Sequence, residues 1–305
     1  MSKVSLMSVA MVAALGLLIC PADAGTMYSV NENTDTLVSI DTDTFQITSI
    51  GPLGMSYQFG DLAWDSSTQT LYAVDGWGGR RGIWTVDTDT GQATLVNLHG
   101  FDSMFALAYD PTTDEFYGGQ STRDQGFFRF DKNGQGTFIG NPGFNLDSVA
   151  YDSARDMLVG AVAGPGDLYE MNRGNGTGTL INDGPFFNNC GMTYDPDKDL
   201  FWMIDWSGNL YSFDPNNGYA RTLHRSGLGA HDGLAYVTLG GSRCVYTVKK
   251  SKSKGGCEVC PPKGGDYRSE ARCEDVKDCD KKIKTIIACP QGNGTCKIKG
   301  KRSAC

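Results

Sequence analysis

Histidine is scarce in this chain of 305 residues, which contains only His99, His224 and His231. Protein-bound transition metals are commonly held by histidines at fixed spacing, and no such motif is present. The sequence also lacks a Gly-rich phosphate-binding loop. These absences argue against a His-based metalloenzyme and against a nucleotide-dependent enzyme.

Long apolar runs are also rare, and the longest, residues 7–19, lies next to the N-terminus. It follows Lys3 and precedes an Ala-Asp-Ala cleavage motif at residues 22–24. A run this short with these flanks is typical of a secretory signal peptide. No later stretch approaches the roughly 18 residues of a membrane-spanning helix. We therefore expect a signal peptide at residues 1–24, no transmembrane segment, and a secreted, periplasmic or cell-surface protein.

One short motif occurs five times, at intervals of about 42 to 45 residues. Further apolar, aromatic-rich runs recur in the same phase, and Asp- and Gly-rich turns separate them. Four short strands per repeat of this length are typical of the blade of a β-propeller. The copies begin at Asp61, Ala106, Ser148, Gly191 and Gly233.

The two ends of the repeat region complement each other. The last repeat stops after one strand, at residues 233–237, whereas three strands precede the first full repeat. Pairing one strand with three would complete a blade and close the ring, which removes exposed sheet edges. We therefore predict an all-β, five-bladed β-propeller over residues 25–240.

The repeat also carries a family resemblance. The runs LYAVD at residues 71–75 and IWTVDTDTGQATLV at residues 83–96 resemble secreted bacterial β-propeller repeat proteins whose units read LYTVDPATGAATLVG. The resemblance covers residues 25–240 only. It implies the propeller fold and export, and it assigns no catalytic residue.

Residues 241–305 differ in composition from the repeats. They hold 16 Lys and Arg against 7 Asp and Glu, whereas residues 25–240 hold 10 against 27. Eight of the ten cysteines also lie there. In an exported chain this density predicts a small disulfide-rich module, with a metal or redox site at Cys257 and Cys260 as the alternative. The basic segment is a candidate to contact an anionic polymer or surface, whereas nucleic acid is disfavoured because aromatic residues are scarce there.

One face of the predicted propeller is rich in aromatic and basic residues. It carries the loops before the inner strands and the loops between the second and third strands. Exposed aromatics beside arginine are typical of a binding patch for sugar rings or an extended peptide. Alternatively, several of them close the channel as core. The candidate ligand-binding residues are Tyr57, Trp77, Arg80, Arg81, Phe101, Phe144, Phe187, Trp206 and His231.

Carboxylates recur where the inner strands begin. One aligned position is Asp147 in the third copy and Asp232 in the fifth, and Asp61 lies beside it in the first. Carboxylates lining a channel repel one another unless they are protonated or hold a cation, and Ca²⁺ prefers oxygen ligands. Asp61, Asp147 and Asp232 therefore form a candidate calcium site in the central channel. The alternative is that they cap the turns that lead into the strands.

Glutamate is also scarce in the repeat region, and this bears on function. Only Glu32, Glu115 and Glu170 occur in residues 25–240, and none begins a predicted inner strand. This weakens a glycosidase, which needs a pair of carboxyl groups. We expect a non-catalytic protein that binds an extracellular glycan or protein through the aromatic face. A carbohydrate-active enzyme using Asp61, Asp147 and Asp232 and a structural surface or matrix protein are the alternatives.

Overall fold

The computed structural model of the protein describes residues 25–77, 80–121, 125–162, 164–185, 187–237, 242–254, 263, 266–273, 281–288 and 295–304. In these residues the chain consists of β-strands and one 3-10 turn, Pro215–Asn217. The strands form six four-stranded sheets, and all their pairings are antiparallel. No helix in the described part of the chain is long and apolar enough to span a membrane. The predicted signal peptide lies outside the described residues.

The first sheet joins the two ends of the repeat region. Its order is β20-β1-β2-β3, and Val30 lies opposite Asp232 where β1 pairs with β20. The predicted completion of one sheet by the two ends is therefore confirmed. The strands are β1 (Thr26–Asn31), β2 (Thr36–Asp41), β3 (Ile47–Pro52) and β20 (His231–Val237).

Each of the next four sheets is a meander of four consecutive strands. The second contains β4 (Asp61–Asp65), β5 (Thr70–Val74), β6 (Gly82–Val86) and β7 (Ala93–Leu98). The third contains β8 (Met104–Asp110), β9 (Glu115–Gln120), β10 (Phe127–Phe130) and β11 (Gly136–Gly140). The fourth contains β12 (Ser148–Asp152), β13 (Met157–Ala161), β14 (Leu168–Met171) and β15 (Gly178–Asn182). The fifth contains β16 (Asn189–Asp195), β17 (Leu200–Asp205), β18 (Leu210–Asp214) and β19 (Ala220–Arg225).

The first strands of the second to fifth sheets, together with β20, form a closed cycle. Strand β4 contacts β8, β8 contacts β12, β12 contacts β16, β16 contacts β20, and β20 contacts β4. We call these five the inner strands. They surround a common axis, and the arrangement of the five sheets is consistent with the blades of a β-propeller.

The apolar core lies between neighbouring sheets. In β5, Leu71 and Ala73 pack in one hydrophobic cluster, whereas Tyr72 and Val74 pack in the next. Successive side chains of a strand point to opposite faces, so each face of this sheet is covered by a neighbour. This packing explains why the middle strands read as continuous apolar runs. The fourth strands are more open, and Phe138 of β11 is 58% exposed.

Aspartate and a left-handed residue shape the turn after each complete inner strand. Asp65 accepts hydrogen bonds from the amides of Ser67 and Thr68 at 2.8 and 3.2 Å. Four residues after the aspartate that ends the strand, the backbone becomes left-handed, with φ of 54° at Gln69 and 58° at Asp114. Short polar residues tolerate this conformation better than other side chains. The repeated polar turns thus set the hairpin geometry of each sheet.

The remaining four strands form a sheet of order β22-β21-β24-β23. Cys296 in this sheet is buried and disulfide-bonded. Cys257, Cys260, Cys279, Cys289 and Cys305 lie outside the described residues. The strands are β21 (Ser242–Lys254), β22 (Asp266–Cys273), β23 (Lys282–Ala288) and β24 (Thr295–Ala304).

Candidate binding site at the mouth of the inner ring

Four aromatic side chains meet at one end of the ring of inner strands. Phe59 lies at the centre, with its ring centroid 4.8 Å from Trp77, 5.5 Å from Phe105 and 5.7 Å from Trp206. Trp77 and Phe105 are also in contact, at 5.7 Å. The four residues come from different loops and strands, so only the closed ring brings them together. We call this group the aromatic mouth.

The two tryptophans of the mouth are the exposed members. Trp77 is 55% exposed and Trp206 is 54% exposed. The indole N–H of Trp77 donates to Ser103 Oγ at 3.2 Å, and the backbone N–H of Trp206 donates to the Asn188 carbonyl at 3.1 Å. These bonds hold two large aromatic surfaces in place at the rim while leaving about half of each to solvent.

Phe59 is held in an unusual conformation that supports the mouth. Its φ of 50° lies in the left-handed region, which bulky side chains rarely adopt. Its backbone N–H donates to Glu32 Oε1 at 2.6 Å. The Glu32 backbone N–H in turn donates to the Ala230 carbonyl at 3.0 Å. Glu32 therefore ties the Phe59 loop to the segment that leads into β20.

A pocket of about 190 Å³ opens beside the mouth. Its lining combines the Phe59 and Trp206 rings with two carboxyl groups, a thiol and an imidazole. A smaller cavity of about 10 Å³ shares part of this lining and adds Phe105, Asp147 and Asn189. The site thus has an aromatic rim and polar walls. The residues that line the larger pocket are Glu32, Phe59, Cys190, Trp206, Ala230, His231 and Asp232.

The two carboxyl groups of the pocket interact directly. Burial raises the pKa of Asp232 well above its usual value, and the charge and hydrogen bond of Glu32 raise it further. A hydrogen bond between two carboxyl groups requires one proton in the pair, and the raised pKa of Asp232 favours its protonated form. Asp232 Oδ1 also accepts the Gly233 N–H at 2.9 Å. The proton is used within the pair, so the pair offers carboxyl oxygens to the pocket as acceptors.

His231 and Cys190 complete the polar wall, and both are buried. Burial lowers the pKa of His231, although its hydrogen bonds with the Gly229 and Leu228 carbonyls act in the opposite direction. Cys190 is a free, buried cysteine whose thiol donates to the His231 carbonyl at 3.2 Å. Burial raises the pKa of the thiol well above its usual value, which disfavours the reactive thiolate.

Asp61 lies deeper on the axis and is fully buried. Its carboxyl oxygens accept backbone N–H groups from Leu107 at 3.0 Å, from Leu234 at 3.2 Å and from its neighbour Leu62 at 2.9 Å. Burial raises the pKa of Asp61 well above its usual value, although these amides act in the opposite direction. The amide of Val149 also bonds to it. Each inner strand pairs on one side only, so amides on its other edge need an acceptor at the axis. Asp61 supplies that acceptor to β4, β8, β12 and β20.

The structure does not bring Asp61, Asp147 and Asp232 together as a ligand set. Asp61 is occupied by backbone amides, Asp147 Oδ1 accepts the Ser121 hydroxyl at 2.9 Å, and Asp232 pairs with Glu32. Among the described residues, no three His, Cys, Asp or Glu side chains are grouped so that they could hold a metal ion. The alternative was that these aspartates cap the turns leading into the strands, whereas Asp61 mainly binds amides of other inner strands.

Four of the predicted ligand-binding residues belong to the core instead. Tyr57 is fully buried, and its hydroxyl has no hydrogen-bond partner in the described part of the chain. Phe187 is 5% exposed and packs edge-on against Phe213. Phe101 packs on Phe128 at 4.2 Å, and Phe144 stacks on Tyr169 at 4.1 Å. Each of the three phenylalanines thus covers the third strand of the sheet that follows its loop.

The two predicted arginines lie on the loop that carries Trp77. Arg80 and Arg81 are both exposed, and the Arg81 guanidinium pairs with Asp102 at 2.5 Å. Residues 78–79 lie outside the described residues. Of the nine predicted residues, Trp77, Trp206 and His231 therefore reach the mouth or its pocket, and the arginines flank the rim.

Glu32 is the main contributor that the sequence interpretation missed. The predicted carboxylates all lie where inner strands begin, and Glu32 does not lie at such a position. It directly follows Asn31, which lies opposite His231 in the pairing of β1 with β20. The predicted ring closure therefore contained the information that places Glu32 beside Asp232.

Comparisons with known proteins support a fold class and show no family. No family model matches the chain, and no curated protein matches it. A chain in the crystal structure of a nidogen/laminin complex aligns with a TM-score of 0.51 and 13% identity, covering 70% of this chain and 82% of that chain. A protein of unknown function from Bacteroides thetaiotaomicron VPI-5482 aligns with a TM-score of 0.48 and 18% identity, covering 67% and 58%. The first likeness supports a propeller-like fold and nothing further.

Proposed function

We propose that the chain is an exported five-bladed β-propeller with a small disulfide-rich C-terminal module. The closed cycle of five inner strands and the shared sheet of β20 with β1 support the blade count. The leader-like residues 1–24 support export. The disulfide at Cys296 and the cysteine density of residues 241–305 support the module.

We further propose that the aromatic mouth binds an extracellular glycan without catalysis. The observation that carries this is the pair of half-exposed tryptophans, Trp77 and Trp206, beside a pocket with carboxyl walls. An indole face provides a flat apolar surface for the C–H face of a sugar ring. The Glu32–Asp232 pair provides acceptor oxygens for its hydroxyl groups.

The size of the pocket indicates how much ligand it would hold. At about 190 Å³ it is smaller than the roughly 300–1,000 Å³ of pockets that enclose drug-sized ligands. We infer that it takes a single sugar ring. The remainder of a longer glycan would extend over the exposed tryptophans, with Arg80 and Arg81 at its edge.

A glycan array followed by titration of hits tests this function. We expect Trp77→Ala and Trp206→Ala each to weaken binding about tenfold or more, since each removes a stacking surface of about 1–2 kcal/mol. Phe138→Ala is the matched control, because Phe138 is an equally exposed aromatic, 58%, on the outer strand β11. Binding that survives both tryptophan substitutions would place the site elsewhere. If no glycan binds but a protein partner is captured through Trp77, the ligand class would change to protein.

The geometry favours binding over glycoside hydrolysis. Retaining glycosidases separate their two carboxyl groups by about 5–5.5 Å and inverting enzymes by more. Glu32 and Asp232 are instead hydrogen-bonded to each other, which leaves no room for a sugar carbon or a water between them. We expect Asp232→Asn to retain glycan binding and the wild-type protein to release no reducing sugar. A carbohydrate-active enzyme remains the alternative if hydrolysis is detected and this variant abolishes it.

A further inference from the structure

The C-terminal sheet has one strongly basic face. Lys297, Lys299 and Lys301 alternate along β24 and are exposed. Alternate residues of a strand point to the same side, so the three side chains share one face. The residues between them, Ile298 and Gly300, are buried on the opposite side.

The registers of the neighbouring strands extend this face sideways. Lys299 lies directly opposite Lys250 of β21 and Lys284 of β23. In an antiparallel pair, directly opposite residues point to the same face, with Cβ atoms about 4.5–5.5 Å apart. The central row of the face is therefore three lysines across three strands.

Two further rows flank the central one. Lys297 lies opposite Lys252, and Lys301 lies opposite Lys282. All of these side chains are exposed. We call the seven lysines of the three rows the lysine face. Part of it borders a groove of about 410 Å³ between β21, β24 and β23.

Like charges placed opposite each other destabilise a sheet. None of the seven lysines forms an ion pair with a carboxylate in the part of the chain that the structure describes, although nine ion pairs occur there. The free chain thus concentrates repulsion on one surface. A ligand that supplies regularly spaced negative charges would relieve it.

We propose that the lysine face binds a linear anionic polysaccharide that carries sulfate or carboxylate groups. Neighbouring lysines within a row are one strand apart, about 4.8 Å, and successive rows are two residues apart along a strand, about 6.8 Å. This spacing offers a dense array of cations to a polysaccharide that carries one anion on every sugar or every second sugar. Lysine provides compact point charges rather than the planar fork of arginine. Among the residues of this face whose side chains the structure describes, none is an aromatic that could stack on bases, which disfavours single-stranded nucleic acid. The surface is separate from the aromatic mouth and does not depend on the function proposed for it.

Binding to dextran sulfate by the full mature protein tests this proposal. The probe variant is Lys284→Glu with Lys299→Glu, which reverses two charges of the central row. The control is Lys263→Glu with Lys281→Glu, which changes the net charge equally at two exposed positions outside the rows. We expect the probe variant to lose at least tenfold in affinity and the control to change less than threefold. Wild-type binding should weaken steeply with added salt.

Thermal unfolding with and without ligand distinguishes ligand binding from a purely structural role of the lysines. Without ligand, the probe variant should unfold at the same or a higher temperature, because it relieves repulsion across the strands. With dextran sulfate, wild type should gain stability and the probe variant should not. Equal loss of affinity in both double variants would overturn the proposal, since only net charge would then matter.

Three further results would also overturn it. Duplex DNA competing as well as dextran sulfate at equal charge would change the ligand to nucleic acid. Binding only to vesicles with anionic lipids would change it to a membrane. Salt-sensitive self-association in sedimentation, with no binding of dextran sulfate, would assign the face to the acidic repeat region of a second copy.

Discussion

Removing the Asp61 carboxylate is expected to loosen the whole inner ring. Asp61 is fully buried and accepts amides of Leu107, Leu234 and Val149 from three other inner strands. In Asp61→Ala these amides lose their acceptor at the axis. The strands pair on their other edges only, so no neighbouring strand can replace it. The change therefore acts on four of the five sheets at once.

The expected loss follows from the number of amides. A buried donor left without a partner costs about 1–3 kcal/mol. Three such amides give about 3–9 kcal/mol, and water entering the vacated space would bring the value towards the lower end. A loss of about 3 kcal/mol lowers the midpoint of thermal unfolding of a domain of this size by about 6–12 °C. Asp61→Asn keeps one acceptor oxygen and should fall between wild type and alanine.

Urea and thermal unfolding, followed by tryptophan fluorescence, measure this effect. Asp87→Ala is the matched control, because Asp87 also accepts two backbone amides, from Asp89 and Thr90 at 2.9 Å each, but does so in an exposed turn. Water can replace an exposed acceptor, so the control should lose far less stability. An Asp61→Ala variant within about 2 °C of wild type would refute the role of Asp61 at the axis.

Two further predictions concern other charged groups. Because burial and Glu32 raise the pKa of Asp232, the native state keeps a proton that the unfolded chain releases above about pH 4. The wild-type free energy of unfolding should therefore fall as pH rises from about 4. Urea unfolding of Asp232→Asn should show a smaller fall over the same pH range. Parallel curves of unfolding free energy against pH for the two proteins would contradict a raised pKa at Asp232. Lys132 pairs with buried Asp65 at 3.0 Å and with Asp114 at 2.6 Å, and the pKa of Asp65 is lowered to about 2 by hydrogen bonds and Lys132 despite burial. Lys132→Met should cost about 1–2 kcal/mol at neutral pH, with the difference from wild type shrinking as pH falls from about 4 towards 2; an equal loss in Lys263→Met would show that the pairing is irrelevant.

The fold was accessible from the sequence because its rules are local and repeated. Each copy of the motif specifies the same four strands, and the polar turns with a left-handed residue such as Gln69 or Asp114 recur in phase. The predicted frame starting at Asp61 coincides with β4, and β20 contains the last copy. The pairing of β20 with β1 required only counting strands at the two ends. Repetition therefore allowed a long-range contact to be predicted without knowledge of tertiary packing.

The site was less accessible because it depends on which side of a loop faces the axis. Phe101, Phe144 and Phe187 are, like Trp77, aromatic residues in loops on the same predicted face of the propeller. However, each lies shortly before an inner strand and packs on the third strand of its own sheet. Their recurrence in one position of the repeat was the available sign of a structural role. Trp77 and Trp206 lie instead on the loops between second and third strands.

The end of the ring opposite the aromatic mouth strengthens the choice of the mouth as the binding surface. There the inner strands carry tyrosines whose hydroxyls donate to aspartates of the turns, as for Tyr151 with Asp156 at 3.0 Å and Tyr236 with Asp197 at 2.6 Å. Arg155 links its own turn to Asp199 of the next sheet at 2.8 Å. These polar groups are already satisfied by contacts within and between sheets. A ligand in the cavity of about 110 Å³ at that end would meet tyrosines whose hydroxyls are already paired with aspartates. At the mouth it would meet the exposed halves of Trp77 and Trp206. We therefore expect ligand binding to be governed by the two tryptophans, and substitutions in the opposite turns to change stability without changing affinity.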